Sequence, residues 1–440
     1  MLVSLDFEPE FAVKRKGIVP AEKPSLLPSF SAGITQMSRI FRTISELFVS
    51  SKLPDSWTPF QNGEVEVAFN DRITFAEDVV LDHEYGVAII SCDPGRPNWN
   101  TVIGPLRDPN SNGKLFLYDY ASSGKLDQLT LVGFNGNFHP LRVNFFRDGP
   151  GGLTRLFVVD HGAFGRGIMI FDVDYAKLEA HYVGWIYDGR ETIVSPNAIC
   201  PVSYTQFYVT NDHYYIKRRH PFLSFYETMF SRPWGWVTFV DFTVRKDTKC
   251  RVVATNIPFA NGIVMPPTGT EVLMASTSAD AVLVYQRDPG TNELSEKFET
   301  IPLPFMRPYN LRFDFSLDRD DSSVFDADGK FLRGVTVAGH PLVLEMEKMS
   351  RNPDKYAAPS WVVEIRRGSG DDPAPCSTTN PENKSGYFMR TLYQGNGKDY
   401  PSSTTGALDS KRKRLIVSGL YAKGLLSISY TDEEPSSNSK

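Results

Sequence analysis

Cysteine is scarce in this chain. Cys92, Cys200, Cys250 and Cys376 form no CxxC pair and have no zinc-like spacing, which excludes a disulfide scaffold or a zinc ribbon and favours a reducing compartment. Long apolar runs are also missing. No stretch approaches the roughly 18 residues needed for a membrane-spanning helix, and the opening "MLVSLDFEPEFAVKRKG" carries acidic residues where a secretory leader would carry its apolar core. The expectation from these two absences is a cytoplasmic protein without an integral membrane span. Positive charge is not in excess either. The formal net charge of −5 argues against a nucleic-acid or anionic-membrane surface, leaving small molecules or proteins as partners. Several catalytic signatures are absent as well: there is no Gly-x-Ser-x-Gly elbow, Walker loop, His-Glu-x-x-His or Rossmann glycine pattern after a strand. The glycines of "RDGPGGLTR" lie between β runs and read as a hairpin turn.

What the sequence does contain is many short strands. "GVAIIS", "GKLFLYDY", "RLFVVDH", "GIMIFDV", "QFYVTND", "WVTFVDF", "EVLMAS", "AVLVYQR", "VVEIRR", "RLIVSG" and "LLSISY" alternate with clusters of Gly, Pro, Asn and Asp. So many evenly spread strands without intervening helices predict radial repetition of small antiparallel sheets, a β-propeller. Two stretches break the pattern. In "SFSAGITQMSRIFRTISELFVSSK", Ile34, Met37, Phe41, Ile44 and Phe48 recur at helical spacing, predicting an amphipathic helix laid on the propeller. In "RRHPFLSFYETMFSRPWGW", Phe222, Phe225, Tyr226, Met229 and Phe230 predict a short helix whose apolar face overhangs a substrate pocket. The expected organisation is an N-terminal arm over residues 1–60, one propeller over 61–430 and a polar tail over 431–440. The segment from Gly368 to Lys384, rich in Pro, Ser and Asp, reads as a surface loop.

Short polar motifs recur at the strand ends: "FAEDVVLD" with Glu77 and Asp78, "NFHPLRV" with His139, "VVDHGA" with His161, "SPNAI" with Asn197, "TNDHYY" with Asn211, "FANGI" with Asn261, "PYNLRFD" with Asn310 and "AGHPL" with His340. In a propeller such ends converge on the central tunnel. In order and context they resemble the paraoxonase and arylesterase family, from about Phe75 through "LLSISY", most specifically in "FYVTNDHYY" and "RVVATNIPFANGI".

That resemblance implies six blades and a calcium ion at the tunnel floor that polarises a lactone or ester carbonyl. By motif, Glu77, Asn197, Asn211 and Asn310 fall on its ligands, and oxygen donors of this kind suit a hard cation. Tyr309 stands where the family has an aspartate. A second, structural calcium would take Asp78 and the Leu141 carbonyl, but Ala198 replaces its other carboxylate, so four carboxylates across the two sites fall to two. His139 and His161 match the family's histidine dyad, proposed to activate water. His340 matches a pocket-wall histidine. His213 is expected to support its loop, and the Asn261–Gly262 pair reads as a turn.

Two enzymatic readings follow. The first is a calcium-dependent hydrolase of lactones or aryl esters. The second is a metal-independent cyclase or isomerase of natural-product biosynthesis, of hetero-Diels–Alder or dehydration-cyclisation type, in which an apolar or aromatic substrate is folded in the tunnel and Tyr309 donates a hydrogen bond in place of a metal ligand. A propeller that only binds a partner is a third reading, disfavoured by the polar tunnel residues.

Overall fold

The computed structural model describes residue 53 and residues 57–163, 165–187, 192–368 and 386–430. The predicted helix within residues 29–52, most of the 368–384 loop and the 431–440 tail lie outside the described residues.

Six sheets form six blades around an axis, antiparallel throughout except that Thr130–Val132 pairs parallel with Glu179–Ile186 at the outer edge of one. From the axis outward, blade 1 runs Ala76–Asp82, Val87–Cys92, Lys114–Asp119 and Leu126–Gln128. The innermost strands of blades 2 to 6 are Pro140–Phe146, Pro196–Pro201, Ala260–Val264, Arg307–Phe313 and Ser403–Asp409. Each innermost strand touches those of both neighbouring blades, and that of blade 6 returns to blade 1, so the ring is closed. An early segment completes the last blade: Glu64–Ala68 pairs antiparallel with Leu425–Ser429 as its outermost strand. Closure of this kind leaves only short sheet edges.

The strand sequences are nearly continuous in apolar residues because both faces of each blade are buried. Side chains alternate across a strand, so Val79, Leu81, Ala88 and Ile90 of blade 1 pack against blade 6, while Val80, Val87 and Ile89 pack against blade 2. The same division repeats around the ring. Six apolar clusters fill the six gaps between adjacent blades.

Two α-helices are described, both on one face of the propeller. The first, α1, spans Pro221–Met229 and has proline in its first turn, where the missing N–H would have no intrahelical acceptor. It is the helix expected from the aromatic spacing. The second, α2, spans Val343–Arg351, directly after the His340 strand.

The inner strands share one irregularity that builds the site. Register with the second strand slips between Ala76 and Asp78, Pro140 and Val143, Pro196 and Ile199, Ala260 and Ile263, Pro308 and Leu311, and Ser403 and Thr405. Bulges re-aim side chains. The residues inside the six slips include Glu77, Arg142, Asn197, Asn261, Asn310 and Thr404, one from each blade.

Candidate functional site

These bulged residues meet at a buried hub on the axis. Its centre is the Arg142 guanidinium. Nε lies 3.1 Å from Glu77 Oε2, the two side chains being 4% and 2% exposed; Nη2 donates to the Asn197 amide oxygen at 3.2 Å and to that of Asn261. A second guanidinium, Arg312, donates from Nη2 to Asp78 Oδ2 at 2.6 Å and to the Val143 carbonyl at 2.8 Å, and from Nε to the Val79 carbonyl at 2.9 Å. Asn310 turns its amide nitrogen toward Thr405 Oγ1 at 2.5 Å and Glu77 Oε1 at 3.4 Å. Thr405 in turn donates to Asp78 Oδ1 at 2.7 Å. Burial pushes the Glu77 carboxyl up to about 8 even with Arg142 alongside, and burial drives the Arg142 guanidinium below its ordinary value.

The calcium shell implied by the resemblance does not fit this arrangement. Calcium takes about 6–8 oxygens, with carboxylates supplying the charge, whereas Glu77, Asn197 and Asn261 direct their oxygens to Arg142. The Asn211 amide oxygen accepts the Val194 and Ser195 N–H groups at 2.8 and 3.1 Å, and its nitrogen donates to the Thr192 carbonyl at 3.1 Å. At the second implied position, Asp78 is paired with Arg312 and the Leu141 carbonyl accepts the Ser91 hydroxyl at 2.7 Å. Among the described residues, no group of three or more His, Cys, Asp or Glu side chains is placed to hold a metal ion.

The structure thus brings Glu77, Asp78, Asn197 and Asn310 together and sets Asn211 apart, at the outer end of the second strand of blade 3. Arg142, Arg312 and Asn261 complete the hub and were not singled out as site residues from the sequence. The signal was present for the arginines, since each stands in a quoted motif, "FHPLRV" or "YNLRFD", as a charge flanked by apolar residues within a strand.

His139 and His161 occupy neighbouring strand ends, joined by a backbone hydrogen bond from the His161 N–H to the His139 carbonyl. Their rings face separate partners. His139 Nδ1 meets Asp93 at 3.0 Å and Nε2 meets the Pro109 carbonyl at 2.9 Å. His161 Nδ1 meets Thr101 Oγ1 at 2.6 Å and Nε2 meets the Pro196 carbonyl at 2.7 Å. Burial works against protonation of His139, but the Asp93 contact outweighs it and holds the imidazole above its usual range. Burial takes His161 down to about 3, helped by Arg166.

Above the hub, between α1 and α2, lies a cavity of about 200 Å³. Apolar side chains dominate its wall, including Phe225, Met229, Phe259 and Met346. Tyr309 and His340 supply polar groups where it approaches the axis, their rings edge to face at 4.4 Å. His340 is 1% exposed, with the Pro359 carbonyl beside its ring. Burial lowers its pKa to about 3, a shift that a hydrogen bond to the Pro359 carbonyl opposes only in part, so the imidazole is neutral, with one nitrogen turned to Pro359 and the other left as an unpaired acceptor. Tyr309 is pushed up to about 12, by burial first and by Glu77 second, and remains a phenol able to donate. Of the three aromatic residues expected at the pocket from the 221–229 helix, Phe225 lines it. Phe222 is 88% exposed, and Tyr226 packs on Phe230 and Trp234.

The Asn211–His213 loop ties this cavity to the hub. Asn197 Nδ2 donates to Asp212 Oδ2 at 3.1 Å, Asp212 Oδ1 lies 3.0 Å from His213 Nδ1, and His213 Nε2 lies 2.7 Å from Thr228 Oγ1 on α1. Glu227 of the same helix accepts the backbone N–H groups of Tyr214 and Tyr215 at 2.9 and 3.0 Å. His213 therefore positions the helix that roofs the cavity. A second connection runs from Asn261 Nδ2 to Thr277 Oγ1 at 2.8 Å, and Thr277 lines the cavity.

The opposite end of the tunnel opens into a larger hollow of about 600 Å³ lined by residues from all six blades. Its buried charges are mutually paired, Arg147 with Asp82 and Arg312 with Asp78. The His340 ring faces the smaller cavity.

The chain is similar in sequence to paraoxonases and arylesterases. Residues 105–318 match a family model described as Arylesterase. Serum paraoxonase/arylesterase 2 of Bos taurus is 26% identical over 294 residues, covering 67% of this chain and 70% of that protein. Serum paraoxonase/arylesterase 1 of Homo sapiens is 27% identical over 209 residues, covering 46% and 54%, and human serum paraoxonase/lactonase 3 is 27% identical over 208 residues, covering 46% and 53%. The chain thus spans about half the length of the two human relatives. Among solved structures, a gluconolactonase from Xanthomonas campestris aligns with a TM-score of 0.44 at 12% identity, covering 87% of this chain and 92% of that one. Regucalcin from Agrobacterium tumefaciens aligns with a TM-score of 0.43 at 10% identity, covering 84% and 95%.

Proposed function

Because the chain is a divergent paraoxonase/arylesterase-like propeller, we propose that it hydrolyses apolar esters or lactones in the cavity between α1 and α2, using Tyr309 and His340. The observation that carries this reading is the buried His340 ring, one nitrogen held by the Pro359 carbonyl and the other unpaired, beside a phenol in an apolar cavity. Leaving a buried polar group unpaired costs about 1–3 kcal/mol. A substrate carbonyl and a water would satisfy it.

In the reaction, the Tyr309 hydroxyl donates to the carbonyl oxygen. The lone pair of His340 takes a proton from water as the water oxygen bonds to the carbonyl carbon. The developing oxyanion is stabilised by the Tyr309 hydrogen bond in a site of low dielectric. Collapse breaks the bond to the leaving oxygen, which recovers the proton from the imidazolium. An imidazole held near pKa 3 is a weak base, so the site suits substrates with good leaving groups, such as aryl esters, or strained lactones. No step passes through a metal.

The test is turnover of a panel of aryl esters and lactones by the full chain and by Tyr309→Phe and His340→Phe. Each variant should lose on the order of 10²-fold or more, the range for a positioned general base or a single oxyanion donor. Undiminished turnover in both would overturn the assignment. The guanidinium at the hub favours one second reading, metal-free cyclisation or isomerisation in the same cavity with Tyr309 as donor. Loss of turnover only toward a cyclisable precursor, with no ester or lactone hydrolysed, would select it.

A further inference from the structure

We propose that Arg142 and Arg312 are the resident cations of the propeller hub and make this chain independent of calcium for its folded stability. Arg142, from blade 2, touches Glu77 of blade 1, Asn197 of blade 3 and Asn261 of blade 4. Arg312, from blade 5, reaches Asp78 and Val79 of blade 1 and Val143 of blade 2. Thr405 of blade 6 joins through Asp78 and Asn310. Two side-chain cations and their acceptors thus link all six inner strands, the role a central ion would otherwise fill.

Charge decides between the two arrangements. The hub sets two guanidiniums against at most two carboxylate charges, those of Glu77 and Asp78, so no negative charge is left over for a further ion. A third guanidinium, Arg96, lies close enough to act on Glu77 and donates to the Pro140 carbonyl at 3.0 Å. A dication added here would bring two further positive charges into a region where the carboxylates are 2% and 1% exposed. Uncompensated buried charge costs several kcal/mol per ion. Geometry agrees: a guanidinium is a planar fork of donors suited to several fixed oxygens at once, and here it meets a carboxylate and two amide oxygens. The bulge in each inner strand aims those oxygens inward, and the cation is fixed to the chain, so its site is filled on folding without a binding equilibrium.

The experiment uses the purified full chain. Its calcium content is measured, its melting temperature is read with chelator and with added calcium, and Arg142→Gly and Arg142→Lys are melted beside it. The wild type should contain far less than one calcium per chain, and neither chelator nor calcium should move its Tm by more than about 1 °C, since an ion that does not bind the native state cannot stabilise it. Arg142→Gly should melt lower, with millimolar methylguanidinium restoring part of the loss. Arg142→Lys, which keeps the charge but loses the fork, should also melt below wild type if the glycine variant does not fold. Near-stoichiometric calcium in the wild type, a chelator-induced fall in Tm, or an Arg142 variant as stable as wild type would overturn the proposal. It does not rest on the roles of Tyr309 and His340, whose variants are read by turnover.

Discussion

Replacing His340 with phenylalanine should move stability and activity in opposite directions. The imidazole is buried with one nitrogen held only by the Pro359 carbonyl and the other unpaired, a condition that costs about 1–3 kcal/mol. Phenylalanine removes both polar atoms and preserves the edge-to-face contact with Tyr309 at 4.4 Å, and the adjoining cavity of about 200 Å³ has room for the slightly larger ring. Setting a modest repacking cost against the relieved desolvation gives a net gain of about 1 kcal/mol, or a Tm rise of only about 1–2 °C, because the unfolding entropy of about 2 cal/mol/K per residue sums over one large propeller. Turnover of ester or lactone should fall by on the order of 10²-fold or more. Such a trade between stability and activity is expected where a site holds unsatisfied groups for a ligand. The assay is a urea or thermal melt beside steady-state kinetics on the same preparation. A variant destabilised by more than about 1 kcal/mol that keeps its turnover would show that His340 is a structural residue with an internal partner, and the reasoning would fail.

Three further predictions follow from the same geometry. His340 is held near pKa 3, so kcat/KM should show no inflection near the ordinary histidine pKa of about 6.5; a clear limb there in a pH–rate profile would contradict the assignment of the base. His161 and His340 both have folded pKa values near 3, below the unfolded value, so the unfolded chain binds more protons and their contribution is lost as pH falls below about 6.5, at up to about 1.4 kcal/mol per pH unit for each group. His139 and His213, raised against burial by Asp93 and Asp212, act in the opposite sense, and denaturation midpoints between pH 4 and 7 should show a shallower acid slope in His340→Phe than in wild type. Thr228→Val removes the His213 contact at 2.7 Å that fixes α1; losing about 1 kcal/mol of positioning should raise KM roughly fivefold with little change in Tm, whereas an unchanged KM would detach α1 from substrate binding.

The fold was legible because burial on both faces of every blade leaves a direct imprint: short, nearly continuous apolar strands with turn residues between them. The 221–229 helix was legible for a similar local reason, in its aromatic spacing and leading proline. The hub was harder to read, because its composition depends on which strand of a blade faces the axis, and strand pattern alone does not distinguish an inner strand from its neighbour. Asn211 ends a second strand and binds the segment that leads into the inner strand of its blade, at Thr192, Val194 and Ser195, although "FYVTND" reads like an inner-strand motif. Asn261 was read as a turn residue because glycine follows it. In the structure, that glycine allows close packing of blades 4 and 5: a Cβ on Gly262 would lie 2.4 Å from the Tyr309 carbonyl oxygen. Arg142 escaped attention because His139, three residues earlier, carried the interest of the motif, and only the slip between Pro140 and Val143 turns the guanidinium onto the axis. The His139 and His161 rings depend on the long excursion after the second strand of blade 1, which supplies Asp93, Thr101 and Pro109 and has no pattern linking it to them in sequence.

The most direct test of the central claim is turnover of aryl esters and lactones by protein stripped with chelator and assayed without divalent metal, with His340→Phe and Tyr309→Phe in parallel. Undiminished turnover in the stripped wild type, lost in both variants, is the predicted result. Turnover that vanishes on stripping and returns with calcium, while both variants retain it, would contradict the account.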